Sequence, residues 1–286
     1  MREICPNIYM KVIEFEDKHA FPRNIYIVYH PERSLMIDTT YRFPHAWKEM
    51  NEMIQELNID YKKLDLFITH NHPDHIGYVH ELQELGVKIY MNPEERNVKT
   101  DILQCYLSKD TSKYVNLRSM GVTKERYPED YDTIVMNLTR KLVEREEPYT
   151  FDSIPVYPGD KLSYGEYSFE VVDLKGHTVA QCGLYDRENN ILFSGDQIVK
   201  NTVPIVISQE RNLHLLETYL NSLTQLKDLY KNSTVLPCHN ELIYYIEEET
   251  ERIRSSYQEQ INATYEILRK EKVWMVTRDI GPKPLV

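Results

Sequence analysis

Leu64-Asp65-Leu66-Phe67-Ile68-Thr69-His70-Asn71-His72-Pro73-Asp74-His75 is the stretch from which the rest of the chain can be read. Its first half is a short, mostly apolar run ending in a polar residue, the pattern of a buried strand that delivers a loop at its carboxyl end. Its second half carries three imidazoles and a carboxylate. Four such groups converging on one turn repel each other or go unsatisfied unless a cation joins them. The residues that follow, Ile76 to Gly86, have apolar side chains at helical spacing and a closing glycine, which predicts a helix with its stop signal. In an extended backbone successive side chains face opposite ways, so His70 and His72 address one metal while Asp74 and His75 address another. Imidazole suits zinc, and a carboxylate beside it is common where the ion keeps a position open for water.

Composition narrows the function. The 286 residues suffice for one large domain or two small ones. A formal charge of -11, from 34 basic and 45 acidic residues, argues against a general nucleic-acid binder, which needs Lys and Arg to neutralise phosphates. The N-terminus has no apolar signal-type core, and no segment approaches the ~18 uninterrupted apolar residues of a membrane span. The four cysteines, Cys5, Cys105, Cys182 and Cys238, are scattered without a CxxC pair, as in a reducing compartment. A cytoplasmic protein without a membrane partner is expected. The 22 tyrosines against 7 phenylalanines read as half-buried packing residues, with a minority available to a pocket.

Ile25 to Tyr29 and Leu35 to Asp38 flank a His-Pro-Glu-Arg-Ser turn and predict a hairpin. Trp47, Met50, Ile54 and Leu57 recur at helical spacing, and Val87 to Met91 predicts a further strand. Alternating strands and helices imply an α/β layer. Residues 94–149 change character, and Tyr131, Ile134, Val135, Leu138 and Leu142 form a helical stripe, so this segment is expected to be a helical insertion forming a lid or substrate pocket. Strands resume at Tyr167 to Leu174, which leads to Gly176-His177-Thr178. A hairpin of Cys182 to Tyr185 and Ile191 to Phe193 leads to Ser194-Gly195-Asp196, and Thr234 to Pro237 leads to Cys238-His239. Helices are expected over Leu216 to Tyr230 and, within a C-terminal segment of helix and tail at 247–286, over Ile253 to Leu268. Four strands thus each end in potential ligands.

An HxHxDH loop after an apolar strand, then Gly-His-Thr, Ser-Gly-Asp and Leu-Pro-Cys-His, resembles the metallo-β-lactamase superfamily over roughly residues 20 to 270. The chain is similar in particular to the hydrolase branch holding glyoxalase II-like and lactonase-like enzymes, including Phe193-Ser194-Gly195-Asp196-Gln197-Ile198-Val199 and the long helix after the last histidine. The resemblance implies an α/β fold of the αββα four-layer sandwich type, here one domain over 1–286. It implies His70, His72 and His177 as ligands of a first metal, Asp74, His75 and His239 as ligands of a second, and Asp196 as the bridge. Asp74 would also hold the attacking water, making it the catalytic residue, and Asp38 would orient a ligand. Two divalent ions follow as cofactors, zinc first, with manganese or iron as alternatives.

Two departures from the family pattern stand out. Cys238 occupies the place of a usual glycine, either filling space or offering a thiolate to metal, and Tyr78 stands where a second glycine is common. The expected reaction is hydrolysis of a carboxylic ester, thioester or lactone by a metal-activated water, with a small-molecule substrate, no nucleic acid, and a homodimer left open. His72 stands where oxygen-reducing di-iron relatives carry glutamate, which disfavours that branch. No signal peptide marks a secreted β-lactamase, and the acidic chain disfavours nucleases. The alternatives are a phosphodiesterase or nuclease of the same fold and a non-catalytic metal binder. His214, Tyr106, Tyr114 and Tyr131 are the conceivable leaving-group acids.

Overall fold

Strand β3 (Arg23–Val28) is buried at every residue, and its side chains alternate between two different cores: Ile25 and Ile27 enter one, Tyr26 and Val28 the other. A strand buried on both faces lies inside a stack of layers. The computed structural model describes residues 1–16, 20–95, 124–125, 127–131, 151–206 and 214–271. Around β3 stand β1 (Arg2–Cys5), β2 (Ile8–Ile13), β4 (Ser34–Ile37), β5 (Leu64–Ile68), β6 (Lys88–Met91) and β7 (Ile154–Pro155), in sheet order β1 to β7. Pairing is antiparallel from β1 to β4 and parallel from β4 to β7. The second sheet holds β8 (Lys161–Tyr164), β9 (Tyr167–Asp173), β10 (Cys182–Asp186), β11 (Ile191–Gly195) and β12 (Thr234–Pro237), in order β12-β11-β10-β9-β8.

Three hydrophobic layers separate four structural ones. On the outer face of the first sheet, Met36, Leu66 and Ile68 pack against Ala46, Met50, Met53 and Ile54 of α1 (Pro44–Glu56) and Val79 and Leu82 of α3 (Val79–Glu84). Between the sheets, Tyr26, Leu35 and Phe67 meet Phe169, Leu184, Phe193 and Leu236. On the outer face of the second sheet, Val172, Leu192 and Val235 pack against Tyr219, Leu223 and Leu226 of α4 (Leu215–Tyr230) and Ile246 and Ile253 of α5 (Ile246–Glu271). The period of two in both sheets and the helical period in α1, α4 and α5 generate the expected αββα sandwich. Among the described residues no helix is long and apolar enough to cross a membrane.

Two local expectations need correction. The helix expected from Ile76 to Gly86 is two short ones, α2 (Pro73–Ile76) and α3, separated at Gly77 and Tyr78. Gly77 keeps helical dihedrals and a Cβ there would sit 2.2 Å from the Thr40 carbonyl oxygen; the helix is interrupted at Tyr78, with φ -122 and ψ 18, where the His75 carbonyl accepts from Thr39 N at 2.8 Å. The metal loop is therefore extended only as far as His72, and Pro73 starts a helical turn that carries Asp74 and His75. Strands β1, β2, β7 and β8 add to the expected set. The expected insertion at 94–149 falls almost wholly outside the described residues, as does the tail after residue 271.

The sandwich brings the carboxyl ends of β5, β9, β11 and β12 to one rim. Gly176, just before His177, has φ +128, and a Cβ there would lie 2.3 Å from Cα of Tyr219 in α4. Gly159 has φ +98 with nothing within 4 Å of such a Cβ. Gly176→Ala is expected to cost roughly 2 kcal/mol or more and to lower Tm by several degrees. Gly159→Ala carries backbone strain alone and should cost less. Equal losses in paired thermal melts would show that the approach to Tyr219 does not constrain this turn.

Candidate metal centre

Three groups of potential ligand atoms form at this rim, each within 4.8 Å; two of them share Asp196, with His70, His72, His177 and Asp196 in the first and Asp74, His75, Asp196 and His239 in the second, and Asp38, His75 and Cys238 form the third. All seven residues singled out from the sequence are thus brought together in the first two groups. In the first group, His72 Nδ1 lies 3.0 Å from His70 Nε2 and 3.0 Å from His177 Nε2. One ring nitrogen cannot satisfy two others at once, whereas a tetrahedral ion with ligands at about 2.0 to 2.1 Å sets them near this spacing. In the second group, His239 Nε2 lies 3.2 Å from Asp74 Oδ2, and His75 Nε2 lies 3.5 Å from Asp74 Oδ2 and 3.4 Å from Asp196 Oδ2. Asp196 Oδ1 is buried without a hydrogen-bond partner. Donor chemistry, spacing and this orphaned oxygen fit a divalent ion in the first group, while in the second Arg23 Nη1 already stands 3.0 Å from His75 Nε2 and 3.3 Å from His239 Nε2.

Neighbouring groups fix which ring nitrogen faces inward. Asp38, left-handed at φ 56 after β4, accepts from Thr69 N at 2.8 Å, Thr69 Oγ1 at 2.8 Å and His75 Nδ1 at 2.8 Å. Thr69 Oγ1 in turn accepts from His70 Nδ1 at 3.0 Å. One carboxylate therefore orients His75 directly and His70 through a hydroxyl, leaving both Nε2 atoms for metal. His239 Nδ1 donates to the Pro22 carbonyl at 2.7 Å, which turns its Nε2 toward Asp74 at 3.2 Å and Arg23 Nη1 at 3.3 Å. Cys238 Sγ donates to Asp38 Oδ2 at 3.1 Å, and burial followed by the Asp38 charge pushes its thiol up to about 12. As a neutral thiol Cys238 braces Asp38, and with Asp38 and His75 it also forms a third group of potential ligand atoms within 4.8 Å.

Three residues that sequence reasoning missed support the centre. Glu95, fully buried, accepts from Asn71 N at 3.2 Å, Thr178 Oγ1 at 2.6 Å and Ala180 N at 2.7 Å, clamping the metal loop to the loop that carries His177. Arg23, also fully buried, lies beside His75 and His239. Tyr41 sits within the field of Asp74, and its phenol, pushed up to about 12 by burial and then by that carboxylate, stays a proton donor at neutral pH. No motif marked these three, because their roles arise only from tertiary placement. Among the conceivable acids, His214 is exposed and pairs with Glu217 at 3.9 Å, while Tyr106 and Tyr114 lie outside the described residues. Tyr131 N donates to the Tyr127 carbonyl at 2.8 Å within the short described piece 127–131.

The electrostatics favour metal-ready protonation states in the first group. Burial, and then the neighbouring histidines, hold His70 well below the ordinary imidazole range, and burial with His177 brings His72 to about 3. Both are neutral ligands at physiological pH. Burial opposes the charge of Asp74 and Asp196, yet the facing histidines outweigh it and keep both carboxylates ionised.

Comparison with known proteins agrees with this geometry. The pattern of the metallo-beta-lactamase superfamily matches residues 20–239, a span that includes all seven candidate ligands. An uncharacterized protein of Aquifex aeolicus (strain VF5) is 27% identical over 153 residues, 53% of this chain and 57% of that protein, so the match spans little more than half of that relative. A metallo-beta-lactamase family protein from Thermus thermophilus superposes with TM-score 0.70 at 19% identity, covering 93% of this chain and 84% of that one. A beta-lactamase domain protein from Burkholderia ambifaria gives 0.69 at 18%, covering 92% and 77%. A metallo-beta-lactamase from Pontibacter korlensis gives 0.57 at 16%, covering 90% and 97%. At these identities the structural likeness speaks for the fold.

Asp38→Asn keeps the volume but removes a charge that holds two ligands. Metal affinity, measured by competition with a chromophoric chelator, is expected to fall about 10- to 100-fold. An unchanged affinity would show that Asp38 does not orient His70 and His75.

Proposed function

This chain belongs to the metallo-beta-lactamase superfamily, and from that premise we propose that it is a dimetal hydrolase of small carboxylic esters, thioesters or lactones, in the manner of the glyoxalase II-like and lactonase-like branch. The observation that carries the reading is the pair of ligand groups sharing Asp196 at one rim. Zinc is the proposed ion, because five imidazoles and two carboxylates form a borderline donor set. When bound, such ions lower the pKa of water and polarise the oxygen of a scissile group. The chain's own residues position the reactants. Asp74 would hold the attacking water, His75 and His239 present fixed Nε2 atoms, and the buried rim excludes bulk solvent.

Charge and surface favour a neutral acyl substrate over a phosphodiester. Phe21, 61% exposed, stands edge-on to His239 at 6.1 Å, and Ile205, 66% exposed, has its backbone beside His177. These apolar residues flank the centre on two sides, in a chain of net charge -11. An uncharged acyl chain gains from the first feature and is indifferent to the second, whereas a polyanion loses from the second. The free thiols of Cys5, Cys182 and Cys238 fit a cytoplasmic setting.

The test is a panel of nitrophenyl esters, acyl thioesters, lactones and bis-nitrophenyl phosphate, assayed with zinc-loaded protein. Ester-type turnover that falls at least 100-fold in His72→Ala and Asp74→Ala supports the proposal. Turnover of the phosphodiester alone contradicts it, and inactivity of the fully metallated protein towards every class favours a metal-binding role instead.

A further inference from the structure

Arg23, the first residue of β3, is 0% exposed, and every one of its close contacts with the candidate centre is to the second ligand group or to Asp196. Its Nη1 lies 3.0 Å from His75 Nε2, 3.3 Å from His239 Nε2, and 3.9 Å from both Asp74 Oδ2 and Asp196 Oδ1. Its Nη2 lies 3.2 Å from His75 Nδ1, 3.7 Å from Asp38 Oδ2 and 3.4 Å from the Thr39 carbonyl. The two guanidinium nitrogens thus match the two nitrogens of one ring. The Nη1 contacts place a permanent donor against the Nε2 atoms of His75 and His239, the two ring nitrogens that would address an ion in the second group. Among the described residues no other Lys or Arg pairs with any of the seven ligands.

The two groups differ in what faces them. The first holds one carboxylate, Asp196, while the second holds Asp74 and shares Asp196, with Asp38 behind His75; what opposes an ion there is position, because Arg23 Nη1 stands 3.0 Å from His75 Nε2 and 3.3 Å from His239 Nε2. A second divalent ion has to enter a group already faced by a permanent, buried cation that arginine cannot discharge. Among the described residues the His70, His72 and His177 side of the centre pairs with no Lys or Arg.

We propose that Arg23 is a built-in competitor for the second site, so that the chain binds one divalent ion tightly at His70, His72, His177 and Asp196 and a second at Asp74, His75 and His239 at least about 100-fold more weakly. This rests on the metal-binding reading above. It makes Arg23 a positioning residue that sets the metal occupancy of the centre, and it gives the buried guanidinium a role besides bracing Asp38. Chelator-stripped full-length protein titrated with zinc, with calorimetry and elemental analysis after gel filtration, reads the stoichiometry directly. The wild type is expected to retain one ion, Arg23→Met two of similar affinity, and Arg23→Lys, which keeps the charge, one. Should Arg23→Met fail to fold by circular dichroism, ligand variants of the wild type decide: His239→Ala should leave the tight ion in place and His177→Ala should remove it. Two equally tight ions in the wild type, one ion in a folded Arg23→Met, or loss of the tight ion in His239→Ala would each overturn the role of Arg23 while leaving a metal centre. No zinc retained by the wild type would overturn the metal-binding reading itself.

Discussion

Asp38 is the carboxylate on which the centre depends. It joins the end of β4 to Thr69 after β5, His75 in α2 and Cys238 after β12, so four chain segments meet at two oxygen atoms. Donors surround it, and Arg23 adds a cation at 3.7 Å. A fully buried charge is tolerated only when paired and hydrogen-bonded, and removing one partner of such a pair costs about 3–5 kcal/mol. The fold therefore cannot move the metal loop without breaking this knot. The rim is a rigid part of the sandwich, as a preorganised site requires.

Placing so many ionisable groups at one rim creates an electrostatic problem that the sandwich cannot solve with its own side chains alone. Three buried carboxylates face one buried guanidinium, and five imidazoles crowd the same space. Two unit charges about 4 Å apart interact by about 4 kcal/mol at an effective dielectric of 20, and a divalent ion doubles this. Attraction to the carboxylates draws one ion in strongly, while repulsion from Arg23 acts against the next. The first ligand group, with its neutral His70 and His72, has no such cation beside it among the described residues.

Much of this was legible in the sequence because period and position carry it. Alternation in Tyr167 to Leu174 and the apolar runs at Leu64 and Thr234 gave the strands, and a polar group just past each strand end gave His70, Asp196 and His239. The split between α2 and α3 was not legible, because helical spacing in Ile76 to Gly86 says nothing of Thr39 N, which donates to the His75 carbonyl. Arg23 and Glu95 were hidden for a related reason. A charged residue at a strand start or in the first turn of a helix is ordinarily solvated, and only the packing of distant segments turns these two inward, Arg23 against His239 and Glu95 against Thr178.

The central claim is that the rim holds a divalent ion on residues drawn from four strand ends. Anomalous diffraction at the zinc edge, from crystals of the zinc-loaded protein, tests it most directly. The account predicts a strong peak bounded by His70 Nε2, His72 Nδ1, His177 Nε2 and Asp196; a fully ordered rim with no peak there would contradict it.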